Sequence, residues 1–512
     1  MGFFDFLLSN YTIGRIAYDK KDYAKALKYY SLAAKKGSLK AAHNLGYMYL
    51  AGLGTTSNPV KAFELFEECA KKGVGLSQYM AGKMLVYGHG VTPDVCLAEQ
   101  YLLEAKKKGA AAVEEVPIAD VDNVLKEIEN FKSVVQKAEN GDANAAHQLG
   151  IWYATGKFYS KDLKLAAKWF EDAANKGHIT AINDLADLYL NGNGVAKNIE
   201  KAIRLFTQAA EKGEPNAQYF LGSMYDEGKL VPQDYFQAFK WFYKAALQGH
   251  SQSQYLVGAR YYFGTGVEKN LEESFRWTKQ AAEAGVVFAM YNLGNAYSNG
   301  NGVKKDEQLA FQWFKRAAEG GDILAYNALG KCYYFGEGIG KDYANAFELF
   351  QKGASNSEPC SMLHLGCCYL FGHGVVMDLP QARSIFEQIL AMKDVPPVVF
   401  AQTCTQLGFL HACKGPLCDI HKALRLLEKG AQMNDNLSME YLGKIYYYGF
   451  RGIEKDPEKA LFYFARAAKL GNEKSKEFLS PDFKTLLDKP WSPSEFAGEL
   501  IGKFARDAVF GL

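Results

Sequence analysis

The stretch Ala289 to Gly321, AMYNLGNAYSNGNGVKKDEQLAFQWFKRAAEGG, decides the fold. Ala289, Leu293, Gly294 and Tyr297 fall at helical spacing and form one apolar stripe. Gly294 leaves room on that stripe for a second helix to come close, and Tyr297 fills the space beside it. Gly300 ends the segment where a left-handed cap suits a residue without a Cβ. The loop Gly300-Asn301-Gly302-Val303-Lys304-Lys305-Asp306 finishes with an acid placed to cap the next helix. A second apolar segment follows through Trp313 to Ala317-Ala318, and Gly321 closes the stretch. Helix, loop, helix and glycine turn make an αα-hairpin.

The pattern recurs. The small residue of Leu-Gly, or its near variant, returns at Gly150, Ala186, Gly222, Gly258, Gly294, Gly330 and Gly366, always 36 residues apart. Earlier and later copies centre on Gly46, Gly82, Gly408 and Gly443. Three residues on stands an aromatic, as in Tyr189, Tyr225, Tyr261, Tyr297, Tyr333 and Tyr369, and six residues on a second glycine. One hairpin cannot bury its own apolar face, so neighbours must stack into an array. The 49 glycines are repeat punctuation, and many of the 65 Tyr and Phe residues fill repeated slots.

Units such as Ala289 to Gly321 and Ala217 to Gly249 resemble the Sel-1-like repeat family, a branch of the tetratricopeptide superfamily. The resemblance covers roughly residues 11 to 472. It implies an all-α, right-handed α/α superhelix that binds other proteins, with no chemistry common to its members. Family uses run from signalling and quality-control assemblies to bacterial factors that engage host proteins.

Departures from the register divide the chain. Residues 1–109 hold N-terminal repeats, the first closer to a plain tetratricopeptide unit. Residues 110–142 read as a degenerate repeat or connector, with Val116-Pro117 at the start of its first helix. Residues 143–394 carry the regular core, and 395–472 hold C-terminal repeats after the break at Asp394-Val395-Pro396-Pro397. Residues 473–512 lose the pattern. Phe496, Leu500, Ile501, Phe504 and Ala508 share one helical face there, suited to capping the last repeat or docking a partner. Lys503 and Arg506 are too few for a membrane-surface helix.

Composition narrows the function. A net charge of +2 argues against a nucleic-acid partner held by bulk charge. No stretch approaches the apolar length of a transmembrane helix. The N-terminus MGFFDFLLSN lacks a positive region and is broken by Asp5, which disfavours a secretory signal. Phe6 stands where a myristoylation signal wants Ser or Thr. These readings point to a cytoplasmic chain with reduced thiols, translocation as an effector being left open.

Catalytic motifs are missing: there is no Gly-x-Ser-x-Gly elbow, no P-loop and no His-Glu-x-x-His. The Gly-x-Gly loops follow helices, so they read as turns and not phosphate cradles. No cofactor is expected. One cluster, His411, Cys413, Cys418 and His421, could supply two thiols and two imidazoles to a tetrahedral zinc. Packing is the preferred reading, since His411 occupies the slot of the repeated Tyr and free Cys is a common core residue. A metal-dependent regulator or enzyme centred on Cys413 and Cys418 stands as a minor alternative.

In the tetratricopeptide superfamily the first helices line the inner surface. Positions three before the repeat glycine, and one and five after it, then share an exposed strip. The candidates for a peptide groove are His147, Asn183, Asp187, Tyr219, Ser223, Tyr255, Phe263, Tyr291, Asn295, Asn327, Lys331 and Phe335. Tyr79, Leu363, Thr405 and Glu440 hold equivalent positions. Asn amides can hold an extended backbone while aromatics accept side chains. Packing between units is the competing reading of Tyr219, Tyr255 and Tyr291. The expectation is a non-enzymatic scaffold or adaptor for a protein or extended peptide; the alternative is a bacterial virulence or immunity factor engaging a host or effector protein.

Overall fold

A computed structural model describes residues 9–110, 116–412 and 418–479. Among these residues every regular element is a helix, apart from one isolated bridge between Phe450 and Ile453. The chain divides into two compact units, Met1–Gln248 and Gly249–Leu512.

The first unit runs α1 (Asn10–Asp19), α2 (Tyr23–Lys35), α3 (Leu39–Ala51), α4 (Pro59–Lys71), α5 (Gly75–Tyr87), α6 (Val95–Ala110) and α7 (Ile118–Glu139). It continues with α8 (Ala143–Thr155), α9 (Leu163–Asn175), α10 (Ile179–Asn191), α11 (Ile199–Glu211), α12 (Pro215–Glu227) and α13 (Tyr235–Leu247). The second unit holds α14 (Ser251–Phe263), α15 (Leu271–Glu283), α16 (Val287–Asn299), α17 (Glu307–Glu319), α18 (Ile323–Phe335) and α19 (Tyr343–Ser355). It ends with α20 (Pro359–Phe371), α21 (Leu379–Ala391), α22 (Pro397–Ala412), α23 (Ile420–Gln432), α24 (Asn436–Tyr448), α25 (Pro457–Lys469) and α26 (Glu473–Glu477). Each unit is a helix-loop-helix solenoid whose consecutive helices pack on one another.

The α16–α17 hairpin shows why the sequence folds this way. Gly300 caps α16 at φ 73°, and its N–H donates to the Ala296 carbonyl. The Asp306 side chain accepts from Leu309 N at 2.9 Å, capping α17, while Asp306 N donates to Tyr297 O at 2.9 Å. Such a cap is worth about 1 kcal/mol. At Gly302, φ is 69° and a Cβ would sit 1.9 Å from the Leu271 carbonyl oxygen, so only glycine lets this loop lie on the start of α15. At Gly294 a Cβ would meet the Phe314 ring at 2.6 Å and force α16 and α17 apart. Hairpins are joined by the repeated tyrosine: Tyr297 stands edge-on to Phe275 of the preceding hairpin at 5.4 Å, and Tyr333 meets Phe311 in the same way.

Two irregular stretches take particular forms. Residues Ile118–Glu139 make one 22-residue helix, α7. Starting at Pro397, α22 is 16 residues long and buried at every residue from Thr403 to Ala412. That burial corrects part of the expected strip. Leu363, Thr405 and Glu440 are 2%, 1% and 3% exposed, because α20, α22 and α24 touch one another directly. Tyr79 is buried too, bonded to Asp120 of α7. The C-terminal face containing Phe496, Leu500, Ile501, Phe504 and Ala508 lies outside the described residues. No helix among the described residues is long and apolar enough to cross a membrane.

Candidate functional site

In the first unit the strip residues are engaged with their own neighbours. His147 Nε2 pairs with Asp184 Oδ2 at 2.8 Å, and its ring stacks on His178 at 4.2 Å. His178 Nδ1 accepts from Ala181 N and caps α10; burial first, then His147, pull its pKa below the ordinary value. Asn183 Nδ2 donates to Asp184, and exposed Asp187 accepts from Asn191 at 2.9 Å. The Tyr219 ring lies 5.8 Å from Phe242, and Ser223 Oγ donates back to Tyr219 O. This portion of the strip is half packing.

The second unit differs. Tyr255, Phe263 and Asn295 converge on one cavity of about 460 Å³ between α14, α15 and α16. Its floor carries Gly258, Ser274, Phe275 and Thr278, and its α16 wall carries Asn292, Asn295 and Asn299. Tyr262 and Phe263 stand at 39% and 74% exposure, high for aromatics on a folded surface. No charged side chain lines the cavity. Tyr291 of α16 and Asn327, Lys331 and Phe335 of α18 lie on the strip but outside this lining. Tyr291 sits 5.9 Å from Phe314 and bonds Asn295, its phenol pKa raised mainly by burial. Asn327 Oδ1 accepts from His364 Nδ1 at 2.6 Å. Lys331 and Phe335 are half-buried.

Ser274, Thr278, Asn292 and Tyr262 were not among the expected site residues. The signal for two of them was a break in register. Twenty residues after the repeat small residue stand Phe170, Phe206, Phe242, Phe314, Phe350 and Phe386; after Gly258 stands Thr278. Sixteen residues after it stand Ala166, Ala202, Ala238, Ala310 and Ala346, but Ser274 here. Where Phe242 and Phe314 put a ring beside Tyr219 and Tyr291, Thr278 leaves the space by Tyr255 open.

The expected Cys/His cluster is only partly described, since Cys413 lies outside the described residues. His411 is buried at the end of α22, His421 is exposed on α23, and Cys418 accepts from the Arg451 guanidinium. Among the described residues no group of three or more His, Cys, Asp or Glu side chains could hold a metal. The remaining thiols suit packing: burial pushes Cys332, Cys360 and Cys368 up to about 12 and Cys404 up to about 11.

An array of helix-loop-helix repeats stacked in this way defines the tetratricopeptide-like class of scaffold fold. The family model described as the Sel1 repeat matches twelve segments of the chain: 11–38, 39–74, 75–109, 143–178, 179–214, 215–250, 251–286, 287–322, 323–357, 361–392, 404–435 and 437–472. The chain belongs to the Sel1 repeat family, within the tetratricopeptide-like superfamily. The span 110–142, read above as a degenerate repeat or connector, falls between matched segments.

Among solved structures, the chain is similar to c5321, a protective antigen present in uropathogenic Escherichia coli strains. Identity is 25%, with 94% of each chain covered and a TM-score of 0.57. It is also similar to a Sel1 repeat protein from Oxalobacter formigenes, at 26% identity, covering 69% of this chain and 90% of that one, with a TM-score of 0.39. A third similarity is to the immunity protein Pa5087 from Pseudomonas aeruginosa, at 20% identity, 43% and 83% coverage and a TM-score of 0.26. No curated protein matches the chain in sequence.

Proposed function

We propose that this chain binds a segment of another protein along the first-helix strip of its second unit, over α14, α16 and α18. The observation that carries this reading is the convergence of Tyr255, Phe263 and Asn295 on one uncharged cavity. Aromatics with low side-chain entropy make strong contacts, and Asn amides offer paired donors and acceptors to an extended backbone. The side-chain amides of Asn292, Asn299 and Asn301 make no hydrogen bond among the described residues, so they are available.

For the biological setting, a bacterial virulence or immunity factor engaging a host or effector protein is better supported than a general intracellular adaptor. The support is the full-length likeness to the protective antigen of uropathogenic Escherichia coli. The test compares wild type with the Tyr255→Ala/Asn295→Ala double variant in pull-downs from host tissue extract and from the native organism. A partner captured from host extract only by wild type supports this setting. A strip-dependent partner found only in the native organism's housekeeping assemblies supports the adaptor. Capture that ignores both substitutions sinks the strip as the binding face.

A further inference from the structure

The repeat spanning 251–286 departs from its neighbours at two register positions, and both changes face one cavity. Ser274 replaces the repeated Ala, and Thr278 replaces the repeated Phe. Each side chain is 7% exposed. Neither hydroxyl has a hydrogen-bond partner among the described residues, although both line the cavity. Neither oxygen is sealed from solvent, so in the free chain water meets both through the cavity, and a bound group that displaces that water has to offer a hydrogen bond in its place. In the next repeat the chain fills the corresponding space with its own Phe314 ring, 5.9 Å from Tyr291. An aromatic ring is therefore the shape this position is built around. The two hydroxyls ask for a ring with a polar tip, and the uncharged lining asks for a neutral one.

We propose that this cavity is an anchor pocket for a tyrosine side chain on an extended segment of a partner protein. The ring takes the space beside Tyr255, its hydroxyl meets Thr278 and Ser274, and Asn292 and Asn299 hold the backbone on either side. The cavity of about 460 Å³ falls in the range of pockets that enclose a small ligand, so it admits a single side chain and flanking backbone. Phe263 and Tyr262 flank the entrance and shield the ring from water. This anchor rests on the segment-binding reading above and names the chemistry of its partner.

The experiment uses p-cresol and toluene as probes of the tyrosine ring with and without its hydroxyl, titrated into the full chain by saturation-transfer NMR. Wild type is expected to bind p-cresol with a dissociation constant of about 1 mM, as suits so small a ligand. It should prefer p-cresol over toluene by about three- to tenfold. Thr278→Val should still bind toluene but lose the preference. Thr278→Phe, which restores the repeat's usual ring, should exclude both probes. Equal affinity of wild type for the two probes, or an unchanged preference in Thr278→Val, overturns the proposal even if Thr278→Phe fails to fold. Selection of random displayed peptides on the full chain separates the two readings. Peptides that need Asn295 and Phe263 but carry no tyrosine overturn the anchor and leave segment binding standing. If no selected peptide depends on the strip, segment binding fails, and with it the partner assigned to the pocket.

Discussion

Within the second unit, α14–α18 and α20–α24 put the same repeat position to opposite uses. Three residues before the repeat glycine, α14, α16 and α18 present Tyr255, Tyr291 and Asn327, all half-buried beside open space or a neighbour's side chain. At that position α20, α22 and α24 bury Leu363, Thr405 and Glu440. The buried set is held by bonds between successive first helices. Thr405 Oγ1 meets both Ser438 Oγ and Asp435 Oδ2, and Glu440 Oε2 accepts from Asn472 at 2.9 Å. Small residues such as Ser361, Cys367 and Cys404, all fully buried, let these helices close together. A repeat position is thus open to a ligand only where neighbouring first helices stand apart. Register alone does not say which.

The sharpest way to break the comparison is in the closed region's core. Phe386 is fully buried, its ring filling the space against Gly366. Phe386→Ala should cost about 3–5 kcal/mol, measured by urea unfolding. In the open region, Thr278→Ala occupies the equivalent register position and should cost under about 1 kcal/mol, because it removes no packed ring. Similar losses at both sites would mean that the cavity by Tyr255 is closed in solution. A smaller effect is expected at the sealed strip. Thr405→Val removes the hydroxyl shared with Asp435 and Ser438 and should lose about 1–3 kcal/mol by the same measurement. Tyr255→Ala, three residues before its own repeat glycine, should change binding more than stability. A Thr405→Val protein as stable as wild type would show that the first helices of α22 and α24 do not depend on this bond.

Much of the fold was legible because each unit repeats its own punctuation. Gly300, Gly302 and Asp306 each answer to a local requirement, a left-handed cap, a close backbone approach and an orphan helix donor, that recurs whatever the tertiary setting. The strip was legible only as a register. Whether Tyr79 or Thr405 faces solvent depends on how close the next first helix comes, and that is set by contacts far along the chain. Tyr255, Phe263 and Asn295 were drawn from this register and do meet at one cavity. Its floor lies partly outside that register, because two of the residues that form it are exceptions to the repeat. Thr278 and Ser274 signal by failing to repeat, and a register read for its exceptions finds them.

The smallest effect is a pH dependence confined to the border between the two regions. His364 lies on α20, is 7% exposed, and donates from Nδ1 to Asn327 of α18. Its ring also faces Phe350 of α19 at 4.9 Å. Burial, with Lys331 adding its positive charge, holds its pKa well below the ordinary histidine value. The folded state therefore keeps the ring neutral, while the unfolded chain takes up a proton near pH 6.5. The unfolded state then binds more protons below that pH, so stability is full above it and falls as the pH drops. The fall approaches about 1.4 kcal/mol per pH unit and levels off only below the folded-state pKa. His178 in the first unit is shifted the same way by burial, so global unfolding would mix the two contributions. Amide exchange resolves them: protection in α18–α20 should decline between pH 6.5 and 5.5 after correction for intrinsic exchange. His364→Gln, which keeps a neutral side chain that can still donate to Asn327, should flatten that decline while leaving α10 unchanged. If α18–α20 lose protection equally in both proteins, the border is not held by a neutral His364, and the closed region does not begin where the buried imidazole places it.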